Sequence, residues 1–183
     1  MQVSLHLSDT SIDKLIKQMV ILIDTREQEN SHITGYFDKK KIPYVVRKLD
    51  FGDYSAMLKA APDLGLPFDV SLEKSVAVER KGSGGSGLSE IAKNFTDGRQ
   101  AFENEFIRAS HSCENFYLVI ENGSWKDIAD HNYRSEMSPK ALYNSLISWR
   151  HKYHFQIDFV QQANTAEHLI KLFGTTLKKL LET

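Results

Sequence analysis

Two carboxylates and a lysine in this chain have the types and spacing needed for metal-assisted phosphodiester chemistry. Glu79 and Lys81 lie in the run Val76-Ala77-Val78-Glu79-Arg80-Lys81, which reads as a β-strand. Alternate residues of a strand share a face, so Glu79 and Lys81 point one way and Arg80 the other. Gly52-Asp53-Tyr54 opens a second strand-like run over residues 53–58. If the two strands are neighbours, Asp53, Glu79 and Lys81 meet at one point. Cleaving a phosphodiester requires the phosphate charge to be neutralised, a water to be aligned and the leaving oxygen to be stabilised. Mg²⁺ does most of this, and it prefers carboxylate oxygens with retained waters. Asp53 and Glu79 are the candidate metal ligands, with the backbone carbonyl of Arg80 completing the inner shell. Lys81 is placed to orient the attacking water or to offset charge in the transition state. Asp24, at the tip of the apolar run 20–23, is a further candidate catalytic acid, with Glu27 in support.

An acid-x-lysine pattern alone is common, and its plain reading is a solvated pair on an edge strand. Gly52-Asp53 and Asp24 together tip the balance toward chemistry. For Arg80 an ion pair that ties the strand to a helix and a contact with substrate phosphate stand level. Arg99, at a predicted helix start after Asp97-Gly98, and Lys93, one helix earlier, are candidate phosphate contacts, because helix N-termini and arginines favour anions. The segment Gly82-Ser83-Gly84-Gly85-Ser86-Gly87 lacks the Gly-Lys-Ser/Thr that closes a nucleotide-binding P-loop, so it reads as a flexible loop beside the site. His151 and His154 are closely spaced, but no Cys or acid completes a zinc set. Trp125 and Trp149 read as packing residues.

These side chains need strands and helices to hold them. Residues 20–23 form a continuous apolar run, the mark of a buried strand. Further strands are predicted over 44–46, 53–58, 75–81, 116–120 and 155–160. Helices are predicted over 11–19, 31–41, 88–95, 97–110 (with Asp97 as N-cap), 124–129, 139–153 and 165–181, and a loop over 62–67. Ser138 followed by Pro139 is a helix-start signal. Strands alternating with helices predict an α/β fold with a mixed sheet flanked by helices.

The chain has 183 residues, enough for one domain with a sizeable core. It is 41% hydrophobic and 26% charged, which argues against disorder. A net charge of −1 excludes a globally basic nucleic-acid coat and leaves room for a local basic groove among 23 Lys and Arg. The single Cys113 cannot form an internal disulfide, which points to a reducing, intracellular compartment, the cytoplasm. Residues 1–9 lack a signal-peptide pattern, and no apolar run is long enough to span a membrane.

Taken together, Gly52-Asp53, Glu79-Arg80-Lys81, Asp97-Gly98-Arg99 and the opening Ile23-Asp24-Thr25-Arg26-Glu27 resemble the nuclease domain of XPF-type structure-specific endonucleases, the excision-repair (ERCC) nuclease family. The family places an aspartate four positions after the lysine. Here position 85 is glycine, and Glu90 in Leu88-Ser89-Glu90-Ile91 is equated with that aspartate after a Gly/Ser insertion. The resemblance covers residues 20–160. It implies a restriction-endonuclease-like fold, Mg²⁺ or Mn²⁺ as cofactor, and DNA, branched or junction-containing, as substrate in repair or recombination. Such domains usually precede a tandem helix-hairpin-helix domain that grips DNA and pairs protomers. The residues after 160 hold one helix, at 165–181, and leave no room for that domain. A single-domain member of the phage or bacterial kind is expected, with homodimer formation left open and, if phage-encoded, the host cytoplasm as its compartment. A non-cleaving DNA-binding or partner-binding module of the same fold is the alternative.

Overall fold

The computed structural model describes residues 7–182. Residues 1–6, part of the stretch with no signal-peptide pattern, lie outside the described residues. The elements follow in order: helix α1 (Asp9–Lys17), strand β1 (Val20–Ile23), α2 (Ser31–Lys40), β2 (Tyr44–Val46), β3 (Tyr54–Leu58), β4 (Val70–Ser71) and β5 (Val76–Lys81). Then come α3 (Gly87–Thr96), α4 (Arg99–Ser112), β6 (Asn115–Glu121), α5 (Trp125–Ala129), α6 (Pro139–Tyr153), β7 (Gln156–Val160) and α7 (Thr165–Leu181). The strands form one mixed sheet of order β2-β1-β3-β5-β6-β7, with β4 paired to β3. β1 runs parallel to β2 and antiparallel to β3; β3 is antiparallel to β5; β5, β6 and β7 are mutually parallel.

Helices cover both faces. On one face, Ile12 and Leu15 of α1, Ile33 and Phe37 of α2, and Leu169, Phe173 and Leu177 of α7 pack on Ile21, Ile23, Val76 and Val78. On the other, α3, α4 and α6 pack on Ala77, Phe116, Leu118 and Ile120. An aromatic cluster fixes this second layer. Phe106 of α4 lies 4.5 Å from Phe155, 5.5 Å from Phe116 and 5.6 Å from Trp149, ring centre to ring centre, in tilted or edge-on contacts that aromatic quadrupoles favour. β1 is buried along its whole length, as its continuous apolar run requires.

The predicted elements are present, with local corrections. Asp97 does not cap α4; it is the C-cap of α3, and Gly98 holds the N-cap position of α4. Segment 62–67 is more ordered than a loop: Pro62–Leu64 is a 3₁₀ turn closed by an Ala61–Leu66 bridge. The two-residue β4 carries too short an apolar pattern to be visible in sequence. As predicted, Ser138 caps α6, its hydroxyl accepting from the Ala141 N–H at 3.3 Å. Among the described residues no helix is long and apolar enough to cross a membrane.

Candidate active site

The pair Glu79 and Lys81 sits in the middle of the sheet, since β5 lies between β3 and β6. An edge-strand surface pair is therefore ruled out: all six residues of β5 are buried. Strand alternation sends Ala77, Glu79 and Lys81 toward the α3–α4 layer and Val76, Val78 and Arg80 toward the α2–α7 layer.

Gly52 brings Asp53 to this strand. It has a φ of +68°, a left-handed conformation that glycine adopts without strain, and a Cβ there would meet the Val78 carbonyl oxygen at 3.0 Å. The tight approach lets the Asp53 N–H donate to Val78 O at 2.7 Å. The Asp53 carboxylate then accepts from the Arg80 N–H at 2.8 Å. In an extended strand the N–H and C=O of one residue leave from the same edge. The Arg80 carbonyl consequently leaves β5 on the Asp53 side, where an inner-shell ligand is needed.

Around Lys81 the charges are uneven. Its ammonium lies 2.8 Å from Glu79 Oε1, 3.4 Å from Glu90 Oε1 and 5.1 Å above the Phe102 ring. Burial opposes its charge, but Glu79, Asp53 and Glu90 outweigh burial and hold its pKa above the ordinary lysine value. Lys81 is thus a permanent cation and a donor, suited to orienting a water or offsetting developing charge and unsuited to removing a proton near neutrality. Asp53 and Glu79 are also shifted upward, which for a carboxyl favours the neutral form. Burial raises both carboxyls above the usual range, and Asp53 is raised further by the Glu79 charge despite Lys81. The spot has more carboxylate than one lysine can neutralise.

Glu90 joins the site as the resemblance implied. One oxygen faces Lys81 while the other accepts from the N–H groups of Gly82 and Ser83, both at 2.9 Å. It therefore ties the start of the Gly/Ser segment to α3. That helix can enter so close because residue 87 is glycine: a Cβ there would collide with the Lys81 carbonyl oxygen and come within 2.9 Å of the Glu121 N and O atoms.

Two sequence assignments change. Arg80 is a candidate substrate contact by sequence, but its side chain is only 1% exposed and is committed internally. It donates to Glu27 Oε1 at 2.7 Å and 3.1 Å, to Glu121 Oε2 at 2.9 Å and to the Glu29 carbonyl at 2.9 Å. The ion-pair reading holds for its guanidinium, and its main-chain N–H is what reaches the Asp53 carboxylate. Asp24 is a candidate catalytic acid by sequence. It is fully buried, and its carboxylate accepts from the Arg26 N–H at 2.9 Å, from Arg26 Nε at 2.6 Å and from the Leu49 N–H at 2.6 Å. Burial would raise its pKa, yet these bonds prevail and hold it below the ordinary value. Asp24 shapes the turn that carries Arg26 and Glu27. Its own N–H donates to the Asp53 carbonyl at 2.8 Å, so it positions Asp53 from behind.

Glu121 is a site residue that sequence reasoning missed. It is wholly buried at the end of β6, where it accepts from Arg80 and pairs with His32 of α2 at 2.8 Å. Its only sequence signal is a carboxylate closing an apolar strand. Arg99 is exposed, with its guanidinium 5.3 Å from the Trp149 ring and 5.8 Å from Phe95. Lys93 is exposed on α3. The cleft over the carboxylates, about 340 Å³, is lined by Arg26, Glu27, Glu29, Asp53, Lys81 and Glu90 among others.

Among the described residues, no group of three or more His, Cys, Asp and Glu side chains gathers into a ready-made metal cage. Two carboxylates with one carbonyl still suit Mg²⁺, which keeps several waters and takes few protein ligands. Burial is the main cause of the raised carboxyls of Asp53 and Glu79, and a cation bound beside them would lower both.

Residues 23–173 match the family model for the ERCC4 domain. No curated protein sequence matches the chain. Among solved structures, XPF from Aeropyrum pernix aligns with a TM-score of 0.60 at 20% identity, covering 86% of this chain and 61% of that one. The same protein in a structure described as a complex with DNA aligns at 0.59 and 20% identity, covering 87% of this chain and 65% of that one. The chain thus spans under two thirds of the length of these chains and shares their restriction-endonuclease-like fold. With the model match extending over most of its length, the chain belongs to the ERCC4 domain family.

Proposed function

We propose that this chain is a divalent-metal-dependent DNA endonuclease that hydrolyses phosphodiester bonds in branched or junction-containing DNA. The observation that carries the reading is that Asp53 and Lys81 line one cleft, with Glu79 held against the Lys81 ammonium at 2.8 Å and the lysine kept protonated by its carboxylate neighbours. Family membership and the likeness to a structure described as bound to DNA support DNA as the substrate.

Asp53, Glu79 and the Arg80 carbonyl would hold the ion. Bound there, Mg²⁺ or Mn²⁺ supplies phosphate charge neutralisation and a more acidic water. The protein's own groups do the rest. Lys81 donates to the attacking water or a non-bridging oxygen and offsets charge as the phosphorus becomes pentavalent. Glu79 and Glu90 hold that ammonium in place. The Arg80 guanidinium, locked between Glu27 and Glu121, keeps the strand from rotating as charge moves on its opposite face.

Purified protein with Mg²⁺ or Mn²⁺ should cut at least one member of a panel of flap, fork, duplex and single-stranded DNA. Asp53→Asn should lower the rate of that cutting about a thousandfold while leaving the circular dichroism spectrum unchanged. Wild-type binding without cutting in either metal refutes the nuclease reading and makes the chain a binding module. Full activity in Asp53→Asn refutes the site.

A further inference from the structure

The cleft continues past its carboxylates. Ser83 and Glu90 line it and also line a wider depression of about 950 Å³ beside it. Segment 83–86 forms one wall of this depression, α3 its floor and segment 132–135 the other wall. The walls are tied in place: the Arg134 N–H donates to Ser89 Oγ at 3.0 Å, and the Asn122 side-chain amide donates to the Gly85 carbonyl at 3.3 Å.

The chemistry changes across the shared residues. In the cleft the cations are already neutralised: Arg26 by Asp24 and Glu105, Arg80 by Glu27 and Glu121, Lys81 by Glu79 and Glu90. In the depression Lys93 and Arg134 are exposed, and among the described residues neither has a carboxylate within ion-pair distance. Glu90, one of the depression's two acids with Asp97, is occupied by Gly82, Ser83 and Lys81. Serine hydroxyls and glycine backbone make up much of the remaining surface. A Cβ built on Gly84 or Gly85 meets nothing within 4 Å, so this wall is main chain open to close approach.

We infer that this depression seats the sugar-phosphate backbone of a single DNA strand next to the scissile bond, with Lys93 and Arg134 on its phosphates. The identity of the strand rests on the nuclease reading. Cationic grooves that track a backbone hold single strands without sequence preference, and hydroxyl and amide donors fix the register of the phosphates without reading bases.

The test is a binding titration in EDTA, where no metal supports cleavage. A labelled single-stranded oligodeoxythymidylate and a hairpin duplex are titrated with wild type, Lys93→Glu and Arg134→Glu over a salt series. Lys14→Glu, on α1 in the opposite helical layer, carries the same charge change as Lys93→Glu. Wild type should bind the single strand. Each reversal at the groove should flatten the slope of log affinity against log salt by about 0.7, the share of one single-strand phosphate contact. Lys93→Gln and Arg134→Gln should also flatten the slope, and Lys14→Glu should match wild type. Unchanged slopes at both positions, losses confined to the duplex, or no single-strand binding by wild type overturns the inference. A chain that binds through Lys93 and Arg134 yet never cuts loses only the nuclease reading. A chain that cuts with unchanged slopes loses only this groove.

Discussion

Arg80 and Lys81 are chain neighbours on one strand, and their surroundings are opposite in design. Arg80 faces the α2 side, where Glu27, Glu121 and the Glu29 carbonyl meet its guanidinium in good geometry. Burial opposes its charge, but Glu27 and Glu121 overcome burial and raise its pKa further. Lys81 faces the α4 side, where one ammonium answers Glu79, Glu90 and the nearby Asp53. In the first cluster one guanidinium meets two carboxylates and a carbonyl, with its hydrogen bonds satisfied inside the protein. In the second, one ammonium meets Glu79 and Glu90 with Asp53 nearby, and under the proposed function this is where the metal ion would sit. Adjacent residues thus face two differently composed charge clusters.

Removing the surplus is the strongest way to break this comparison. Asp53→Asn and Glu79→Gln should each lower the cleavage rate about a thousandfold, the scale expected when metal-assisted charge stabilisation is lost. Asp53→Asn should leave the metal-free melting temperature equal or higher, because it removes repulsion with Glu79 and its amide oxygen still accepts from the Arg80 N–H. A large drop in its melting temperature would show that the Asp53 carboxylate is structural.

Arg80→Ala should do the reverse. It strands Glu27 and Glu121 without their cation, so urea unfolding should reveal a loss of about 3–5 kcal/mol. A stable Arg80→Ala protein with unchanged unfolding would erase the contrast between the two clusters.

Gly87→Ala tests how the two are joined through α3. The added methyl overlaps the Lys81 carbonyl, so overpacking should cost about 1–3 kcal/mol and reduce cleavage by displacing Glu90.

The pH dependence sharpens the comparison without mutation. Asp53 and Glu79 hold protons that the unfolded chain releases near pH 4. Metal-free stability should therefore fall as pH rises from that range through their raised pKa values. Asp24 acts in the opposite sense: its contribution is present above the ordinary value and is lost as pH falls through its lowered pKa. Melting curves with and without Mg²⁺ should diverge as pH rises, with the ion restoring what the two carboxylates lose. The smallest effect is expected for Arg26→Ala, about 1 kcal/mol or less. The Arg26 side chain is 53% exposed, and Asp24 keeps its two backbone donors.

Much of this arrangement was legible in the residues. Period-two alternation placed Glu79 and Lys81 on one face, while the tight approach at Gly52, with its positive φ, became visible only in the structure. Glu90 reached the site despite its shifted position, because the Gly/Ser segment turns back and α3 packs closely on β5. Two side-chain roles change for one reason. Asp24 and Arg80 have side chains suited to chemistry, but a charged residue buried in a central sheet must satisfy its hydrogen bonds before it can act on a ligand. Their partners, Leu49 and Arg26 for Asp24 and Glu121 for Arg80, come from segments distant in sequence or give no local signal.

By itself, the sequence determined the order of strands and helices, the face each β5 side chain takes and the acid-acid-lysine pattern, because these follow from local periodicity and residue type. Only the tertiary structure decided which charges are neutralised and which are left in excess. That depends on the carboxylates that the paired strands and the packed helices bring within about 3 Å of each cation, and it is what separates Arg80 from Lys81.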